Sequence, residues 1–306
     1  MRKNKMLGEE TLTFNDRRFV LIKKRYYDDV YIYKGENEIL RIGPKSILEK
    51  EIEFQKYLTE NDFPVAKIYE EGEFGDSLYF FSEEFLGEKP LVDLIVEDCE
   101  KLSEVSSENF EKFLTITEKY LRAKFKTVKK EFSVEDIRIA MHVDVAVEEF
   151  PELKEKLESF FGKFLFKFKD HPVTIEHNDL NAYNILEKGV IDFEGAFFGP
   201  FGYDICVNGL HQFGWSKTKS ERLIKYHLTP AQIDTYFSRL DALCIENNFP
   251  KLSPLAPDFY IGRMIYHLTR MQDFPIIRAL RYEKLNKMLD AYISDTDVMS
   301  VIKTEM

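Results

Sequence analysis

The sequence predicts an α+β protein in which a small antiparallel sheet precedes a larger, mainly helical part. Two observations support this fold class. Apolar and polar residues alternate up to about residue 85, and apolar residues recur at helical spacing beyond about residue 90. The 306 residues and 44% hydrophobic content suffice for a substantial core in one or two domains. We expect an N-terminal lobe of residues 1–87 and a C-terminal lobe of residues 88–306.

Alternation and intervening turn residues predict four strands in the N-terminal lobe, at Arg18–Lys23, Val30–Tyr33, Glu38–Ile42 and Leu78–Phe81. One helix is expected from about Ser46 to Asn61, because Ser46 and Glu49 form a capping-box pattern. The stretch after the last of these strands, residues 82–87, is expected to link the two lobes.

Apolar spacing of three and four predicts that the C-terminal lobe is mainly helical. The expected helices lie near residues 91–103, 107–129, 149–168, 216–227, 230–247, 257–272 and 276–293. Ser107 and Thr229-Pro230 are expected to begin two of them. Short strands are expected around residues 174–175, 185–186 and 190–191.

Charge and cysteine content argue against several classes of protein. A net charge of −11 disfavours general affinity for nucleic acid or anionic lipid, because phosphate groups favour clustered Lys and Arg. The three cysteines form no CxxC pair, which suits a reducing compartment. No signal peptide and no run of ~20 apolar residues is evident, so we expect a cytoplasmic protein.

The segment from Ile175 to Glu194 contains the strongest functional motif of the chain. His177, Asp179 and Asn184 have the spacing His-x-Asp-x-x-x-x-Asn, and Asp192-Phe193 follows at hairpin distance. Kinase catalytic loops have this order. Their chemistry requires a carboxylate beside the attacking hydroxyl and oxygen ligands for Mg²⁺. The motif therefore predicts phosphoryl transfer.

Residues 175–213 resemble the aminoglycoside phosphotransferase and choline kinase family, relatives of the protein kinases. The resemblance lies in His177-Asn-Asp-Leu180 with Asn184, in Ile191-Asp-Phe-Glu-Gly-Ala196 and in Tyr203-Asp204-Ile205. It implies a bilobal, protein-kinase-like fold over roughly the whole chain. It also implies a kinase that uses ATP or GTP with Mg²⁺ and phosphorylates a hydroxyl group of a small molecule.

The resemblance assigns a role to each residue of the motif. Asp179 would accept the proton of the acceptor hydroxyl or orient it, and His177 would brace the loop by hydrogen bonding. Asn184 and Asp192 would bind Mg²⁺ on the nucleotide phosphates. Asp204 would support the site from the start of a helix.

In the N-terminal lobe, the resemblance places Arg41 against the nucleotide phosphates. Glu51 is its expected ion-pair partner, and Glu49 and Glu53 are the competing ones. Glu83 and Phe85 are expected to lie in the link and to present backbone groups to adenine.

Two features depart from the pattern of protein kinases. The first hairpin turn, Tyr26–Asp29, has no glycine and contains two carboxylates that would repel nucleotide phosphates unless they point outward or bind metal. Glu194 occupies the position where protein kinases have glycine, which favours a small-molecule kinase over a regulated protein kinase.

The acceptor site is expected near Asp179, in the C-terminal lobe. Aromatic faces and carboxylates suit an amine or quaternary ammonium group, so we expect a cationic acceptor such as an amino alcohol or an aminoglycoside. Most of the 27 Phe and 16 Tyr must nevertheless lie in the core. The candidates are Tyr183, Glu194, Phe197, Phe198, His211, Trp215, Tyr266 and Arg270.

Two other functions stay open. An atypical Ser/Thr protein kinase is disfavoured because Tyr203 follows Asp192 by only 11 positions, which leaves no long activation loop. A catalytically silent, kinase-like binding protein is disfavoured by the intact Asp179, Asn184 and Asp192, although the glycine-free turn is compatible with it.

Overall fold

The computed structural model describes residues 7–25, 28–75 and 77–306, with the backbone alone described at Glu194. The chain forms two compact units. The first comprises the residues up to Glu88 together with Leu186–Ile191, and the second comprises Lys89–Ile185 and Asp192–Met306. A sheet dominates the first unit and helices dominate the second, which confirms the predicted α+β fold class.

The first unit is built on one antiparallel sheet and one helix, α1 at Lys45–Glu60. The strands are β1 Thr11–Phe14, β2 Arg17–Lys24, β3 Tyr31–Lys34, β4 Glu38–Pro44, β5 Ile68–Phe74 and β6 Leu78–Glu84. Their order in the sheet is β1-β2-β3-β4-β6-β5, so β6 is paired along both of its edges.

Alternation along β4 decides which of its side chains enter which layer. Leu40 and Ile42 are buried on one face of the sheet with the apolar residues of the first three strands. Arg41 points to the other face, opposite Phe81 of β6 and beneath α1, whose Leu48 is buried there. The strand therefore presents one cation among the apolar side chains of the helix-covered face.

The second unit consists of ten helices and a two-stranded ribbon among the described residues. The helices are α2 Leu91–Leu102, α3 Ser107–Lys124, α4 Val134–Ala140, α5 Val143–Glu149, α6 Lys154–Phe168, α7 Tyr203–Leu210, α8 Pro230–Glu246, α9 Ala256–Thr269, α10 Pro275–Ile293 and α11 Val298–Lys303. The ribbon pairs β7 Val173–Glu176 with β8 Phe197–Pro200.

Helix α9 is buried over nearly its whole circumference, which is typical of a helix at the centre of a helical unit. Gly262 permits close packing here, because an added Cβ would lie 2.8 Å from Cε of Met141. This packing fixes the backbone of the next residue, Arg263, whose side chain reaches the loop after β7.

The predicted helix at residues 216–227 is wrong, because this segment is irregular and has one bridge between Ser216 and Leu223. The Ser216 hydroxyl accepts hydrogen bonds from the backbone N–H groups of Thr218 and Lys219, at 3.3 and 2.8 Å. Such local side-chain hydrogen bonds compete with helix formation, which explains the error.

Other boundaries differ from the predicted ones. The N-cap of α1 is Pro44, so Ser46 does not cap it, and the N-cap of α3 is Ser106 rather than Ser107. Helix α6 begins at Lys154 because Pro151 starts a short 3₁₀ turn before it. The short strands expected at residues 185–186 and 190–191 are single-residue bridges.

The stretch from Ser82 to Glu84 was expected in a link and instead belongs to β6. It continues the strand because β4 and β5 pair with it on both sides. No described helix is both long enough and apolar enough to span a bilayer.

Gly189→Ala should destabilise the first unit. An added Cβ would lie 2.3 Å from the carbonyl oxygen of Pro64, which accepts the N–H of Val190 at 2.6 Å. We expect the free energy of unfolding to fall by roughly 1–3 kcal/mol, as at other overpacked positions. Urea denaturation measures this change.

The matched control is Gly162→Ala in α6. Gly162 is exposed, and no neighbouring atom lies within 4 Å of the position of its added Cβ. Replacing an exposed helical glycine should raise the free energy of unfolding by roughly 0.5–1 kcal/mol. Equal stability of Gly189→Ala and the wild type would show that the turn at Pro64 can move aside.

Candidate active site

The loop after β7 places His177 and Asp179 at the end of a buried strand. His177 is completely buried, and its ring lies 4.4 Å from that of Phe193, centroid to centroid. Its Nδ1 accepts the backbone N–H of Asp179 at 3.3 Å. Asn178 turns the chain between them in the left-handed region, with φ 65°. The Asp179 side chain is consequently half exposed.

Two asparagine amides close this loop around Asp179. Nδ2 of Asn181 donates to the Asp179 carbonyl at 2.9 Å and to its carboxylate at 3.1 Å. Nδ2 of Asn184 donates to the same carbonyl at 2.9 Å and to the other carboxylate oxygen at 3.4 Å. The two amides hold the backbone and side chain of Asp179 together.

Arg263 of α9 forms an ion pair with Asp179. Its guanidinium donates to Asp179 Oδ1 and to the carbonyl of Asn178, and its Nε donates to Nε2 of His267 at 3.0 Å. The Arg263 side chain is 4% exposed whereas that of Asp179 is 50% exposed. The arginine therefore approaches Asp179 from the interior and fixes its orientation, while solvent reaches the other side.

A buried charge network supports the loop from below. Nζ of Lys124 lies 2.5 Å from Oε2 of Glu176 and 2.6 Å from Oδ1 of Asp204, and all three side chains have no exposed surface. The other carboxylate oxygen of Asp204 accepts the backbone N–H of His177 at 2.7 Å and the Tyr120 hydroxyl at 2.7 Å. This network connects α3, β7 and α7 to the start of the loop.

The charges of this network balance when one carboxyl is protonated. Burial, followed by the neighbouring Asp204, raises the pKa of Glu176 well above its usual value of 4.5. Burial by itself raises the pKa of Asp204. The charge of Lys124 and the hydrogen bonds that Asp204 accepts outweigh burial and lower this pKa below its usual value of 3.8. These opposite directions favour Glu176 as the carboxyl that carries the proton and Asp204 as the ionised partner of Lys124.

Asn184 and Asp192 provide the donor atoms expected of a magnesium site. Because Nδ2 of Asn184 is used by Asp179, its Oδ1 is the atom left to face a cation. Asp192 is exposed and adopts a left-handed backbone, with φ 70°, before the 3₁₀ turn Phe193–Gly195. No group of three or more His, Cys, Asp or Glu side chains among the described residues could hold a metal ion.

In the first unit, the close partner of Arg41 is Glu83 rather than Glu51. Nε of Arg41 lies 2.7 Å from Oε1 of Glu83, whereas its terminal nitrogen is 3.9 Å from Glu51. Glu51 instead lies 2.5 Å from Arg25. Phe81 pairs with Arg41 across the strands, so its side chain lies on the same face of the sheet as that of Arg41. Glu83 is two residues further along β6 and shares this face, which explains its pairing with Arg41.

Glu83 lies in β6 rather than in the link, whereas Phe85 directly follows the end of β6, within the expected link. The Glu83 side chain is 4% exposed, and its second carboxylate oxygen accepts Nε2 of Gln55 at 2.6 Å. The backbone N–H of Phe85 donates to the carbonyl of Asn37 at 3.2 Å. Glu83 thus orients Arg41 with its side chain, and the Phe85 N–H is already engaged within the first unit.

The carboxylates of the first hairpin turn are both paired. Asp28 pairs with Arg25, and Asp29 lies 2.8 Å from Nζ of Lys24. The remaining turn residues, Tyr26 and Tyr27, lie outside the described part of the chain. The pairing reduces the negative charge that the sequence places in this turn.

Five of the acceptor candidates lie in one cluster of rings and cations. Tyr183 and His211 have ring centroids 6.4 Å apart, and Nε1 of Trp215 donates to Nε2 of His211 at 3.1 Å. The ring of Tyr266 lies near two guanidinium groups. That of Arg270 is 5.7 Å from the ring centroid, and that of Arg263 is 4.5 Å from it. The cluster therefore reaches Asp179 through Arg263.

The other three candidates lie on or beside the β7–β8 ribbon. Phe197 and Phe198 belong to β8, and Nζ of Lys129 lies 3.2 Å from the centre of the Phe198 ring. Glu194 lies in the 3₁₀ turn before β8, and its side chain is outside the described residues.

Comparison with solved structures shows which fold this arrangement belongs to. A thermostable mutant of aminoglycoside phosphotransferase APH(4)-Ia, in ternary complex with ADP and hygromycin B, is similar with a TM-score of 0.52 at 12% identity, over 93% of each chain. Its apo form gives a TM-score of 0.53 at 13% identity, over 89% of this chain and 94% of that one. The chain has the protein-kinase-like fold of the aminoglycoside phosphotransferases.

The resemblance deduced from the motif is thus confirmed at the level of the fold. A third structure, of the same phosphotransferase with AMP-PNP and hygromycin B, gives a TM-score of 0.50 at 12% identity, over 93% of each chain. No family model matches the chain, and no curated protein matches its sequence.

Sequence reasoning missed four residues that organise the site: Arg263, Asn181, Lys124 and Glu176. Arg263 and Lys124 lie within helical patterns, where a basic residue normally indicates a solvated face. Asn181 lies inside the motif, and its proximity to Asp179 was the one available signal. Glu176 directly precedes His177 on a strand whose four residues are all buried, which only the fold reveals.

Lys124→Met should destabilise the protein strongly, because it leaves an ionised Asp204 buried without a cation. We expect the free energy of unfolding at neutral pH to fall by roughly 3–5 kcal/mol. Glu176→Gln is the matched variant and should change it by less than about 1 kcal/mol, because the amide replaces a neutral carboxyl of the same shape. Urea denaturation of both variants measures the difference.

The pH dependence gives a second readout. The pKa of Glu176 is higher in the folded protein than in the unfolded chain, so its protonated form stabilises the fold at low pH. This contribution is lost as the pH rises from 4.5 through the pKa that Glu176 has in the folded protein. Relative to Glu176→Gln, the wild type should therefore lose up to about 1.4 kcal/mol per pH unit above 4.5. Parallel pH profiles would show that Glu176 is ionised in the folded protein.

Proposed function

We propose that the protein is a phosphotransferase that uses ATP or GTP with Mg²⁺ and phosphorylates a hydroxyl group of a small molecule. The observation that supports this most is the loop at residues 177–184. There Arg263 and two asparagine amides fix Asp179 while half of its side chain stays exposed. Phosphoryl transfer depends mainly on positioning and charge stabilisation, and this loop provides a positioned carboxylate.

Asp179 would accept a hydrogen bond from the acceptor hydroxyl and aim its oxygen at the phosphorus. A carboxylate is a poor base for an alcohol, so orientation is its larger contribution. His177 would hold the loop in place rather than touch the substrate. Its ring nitrogen Nδ1 accepts the backbone N–H of Asp179, and its backbone N–H donates to the carboxylate of Asp204. Asp204 and its network thus position the reacting group without touching it.

Asn184 and Asp192 would hold Mg²⁺ through an amide and a carboxylate oxygen, both of which are ligands that this hard cation prefers. The bound cation would offset negative charge on the nucleotide phosphates. The two residues flank Leu186–Ile191, a tight turn in which the Leu186 N–H donates to the Gly189 carbonyl at 2.8 Å. A hairpin of this kind favours proximity of the residues that flank it.

Arg41 would bind a phosphate group of the nucleotide. Glu83 holds its Nε at 2.7 Å, and the Arg41 side chain remains 25% exposed. A guanidinium with one edge fixed by a carboxylate can offer its other nitrogens to a phosphate. The nucleotides ADP and AMP-PNP in the similar structures are consistent with this proposal.

The acceptor classes that the resemblance implies are amino alcohols and aminoglycosides, and hygromycin B is bound in the similar phosphotransferase. A protein substrate is disfavoured, because residues 193–200 between Asp192 and α7 form a 3₁₀ turn and β8 rather than a long activation loop. A small-molecule hydroxyl is therefore the proposed acceptor.

Asp179→Asn should lower the rate of phosphoryl transfer by roughly 10²- to 10⁴-fold, the usual range for a positioned acid–base group. Nucleotide binding should stay nearly unchanged, because Asp179 is expected to face the acceptor. ADP release during a screen of hydroxyl compounds measures the first effect, and thermal shift with ATP measures the second. Asp170→Asn, at an exposed position, is the control and should leave the rate unchanged. Turnover of Asp179→Asn at the wild-type rate would refute the role assigned to Asp179.

Asp192→Ala should remove the Mg²⁺ dependence of ATP binding. The wild type should show a larger thermal shift with ATP and MgCl₂ than with ATP alone, and the variant should show equal shifts. GTP titrated in the same way reports the nucleotide preference. A variant that keeps the full response to Mg²⁺ would show that Asp192 is not a ligand.

A further inference from the structure

Four arginine side chains of the second unit lie at Asp179 or against aromatic rings of the cluster beside it. Arg263 pairs with Asp179 directly and bonds to His267. The guanidinium of Arg281 lies 4.4 Å from the ring of Trp215, and that of Arg222 lies 5.3 Å from the same ring. Arg270 approaches from the end of α9, over the ring of Tyr266.

A continuous set of rings connects these cations. His211 and His267 lie 6.4 Å apart between ring centroids, and each lies close to Trp215, at 6.0 and 6.1 Å. Tyr183, directly in the loop of Asp179, lies 6.4 Å from His211. Burial raises the pKa of Tyr183, the charge of Arg222 opposes that rise, and the charge of Asp93 adds to it. One cation and one carboxylate therefore act on this ring.

Positive charge exceeds negative charge in this cluster. Both histidines are neutral, because burial lowers the pKa of His211 to about 4 and, together with Arg263 and Arg281, lowers that of His267 well below 6.5. Asp179 is the one carboxylate paired with the arginines among the described side chains, and its partner is Arg263.

Glu149 and Glu221 are engaged elsewhere, whereas the exposed Asp93 of α2 acts electrostatically on Tyr183. Glu149 pairs with Arg278, and Glu221 accepts the backbone N–H groups of Ile276 and Ile277 at the start of α10. Among the described side chains, Arg222 and Arg270 form no ion pair, and both are exposed. These two are therefore free to bind a ligand.

The buried side chain of Arg281 has no carboxylate partner among the described residues, so its positive charge is not compensated. It is fully buried, donates to the carbonyls of Gly214 and His267, and leaves Nη2 without a partner. Burial, with repulsion from Arg263 and Arg222, lowers its pKa to about 9. A bound anion would relieve this repulsion, because opposite charge at short range in a partly desolvated site is strongly favourable.

We propose that the acceptor hydroxyl belongs to a small molecule that also carries an anionic group, a carboxylate or a phosphate, bound by Arg222 and Arg270. This inference rests on the proposed role of Asp179 in phosphoryl transfer. The aromatic faces of Tyr183 and Trp215 would contact the carbon skeleton between the two ends of such a molecule. An ammonium group in the same place would meet several arginine side chains, with Asp179 already paired and Asp93 the one further carboxylate that acts on Tyr183.

A matched series of sugars tests the charge of the acceptor. Glucosamine, glucose, glucuronate and glucose 6-phosphate share a pyranose ring and differ in one substituent, which is cationic, neutral, carboxylate or phosphate. Trp215 is the one tryptophan of the chain, so its fluorescence reports binding at this cluster. Titrations at constant ionic strength should give dissociation constants for the two anionic sugars that are at least tenfold lower than for glucosamine.

Arg222→Gln and Arg270→Gln should each weaken binding of the anionic sugars by roughly tenfold, the usual effect of losing one charged hydrogen-bond donor. Arg122→Gln, at an exposed arginine on α3, is the control and should bind them as the wild type does. The comparison between glucuronate and glucose 6-phosphate distinguishes a carboxylate site from a phosphate site.

ADP release with MgATP, measured on the same series, separates the two proposals. Faster ADP release with the anionic sugars supports both. Faster release with glucosamine, choline or kanamycin would overturn the anionic acceptor and leave the phosphotransferase standing. Saturable binding of anions without ADP release from any compound would count against the phosphotransferase, whereas no preference for anions in binding or turnover would overturn the inference made here.

Discussion

The loop that bears Asp179 depends on one buried carboxylate, that of Asp204. It accepts the backbone N–H of His177 and the Tyr120 hydroxyl, and it pairs with Lys124 where no water can replace any of these partners. An ionised group in such a place is stable only when every one of these contacts is formed. The position of the loop is therefore set by the packing of α3, β7 and α7, and not by local turn preferences.

Arg263 provides the second constraint, and it acts from the acceptor side. It extends from a helix that is buried all round, so its guanidinium cannot follow Asp179 if the loop moves. Together with Arg222, Arg270 and Arg281 it makes this region locally positive, although the chain as a whole has a net charge of −11. Net charge describes solubility and long-range attraction, whereas the ligand of a site responds to the few charges within several ångströms.

In the first unit, the sequence pattern predicts on which face of the sheet Arg41 lies, but not which carboxylate it pairs with. Alternation along β4 was sufficient to place Arg41 on the face away from Leu40 and Ile42. Its close partner Glu83 could not be chosen from the sequence, because that choice depends on the register of β4 with β6. Glu51 was a reasonable alternative by position, but Arg25, from the end of a different strand, lies closer to it.

The fold class, most of the long helices and the motif around Asp179 could be predicted from the sequence, because each rests on local periodicity or on fixed spacing within one loop. Local periodicity failed at residues 216–227, where the Ser216 hydroxyl accepts backbone N–H groups and so competes with helical hydrogen bonds. The interior position of the Lys124, Glu176 and Arg263 side chains, in contrast, follows from the packing of distant segments and not from any local pattern. A basic residue in a helical pattern normally lies in solvent, and burial is tolerated here only because partners from distant segments compensate its charge.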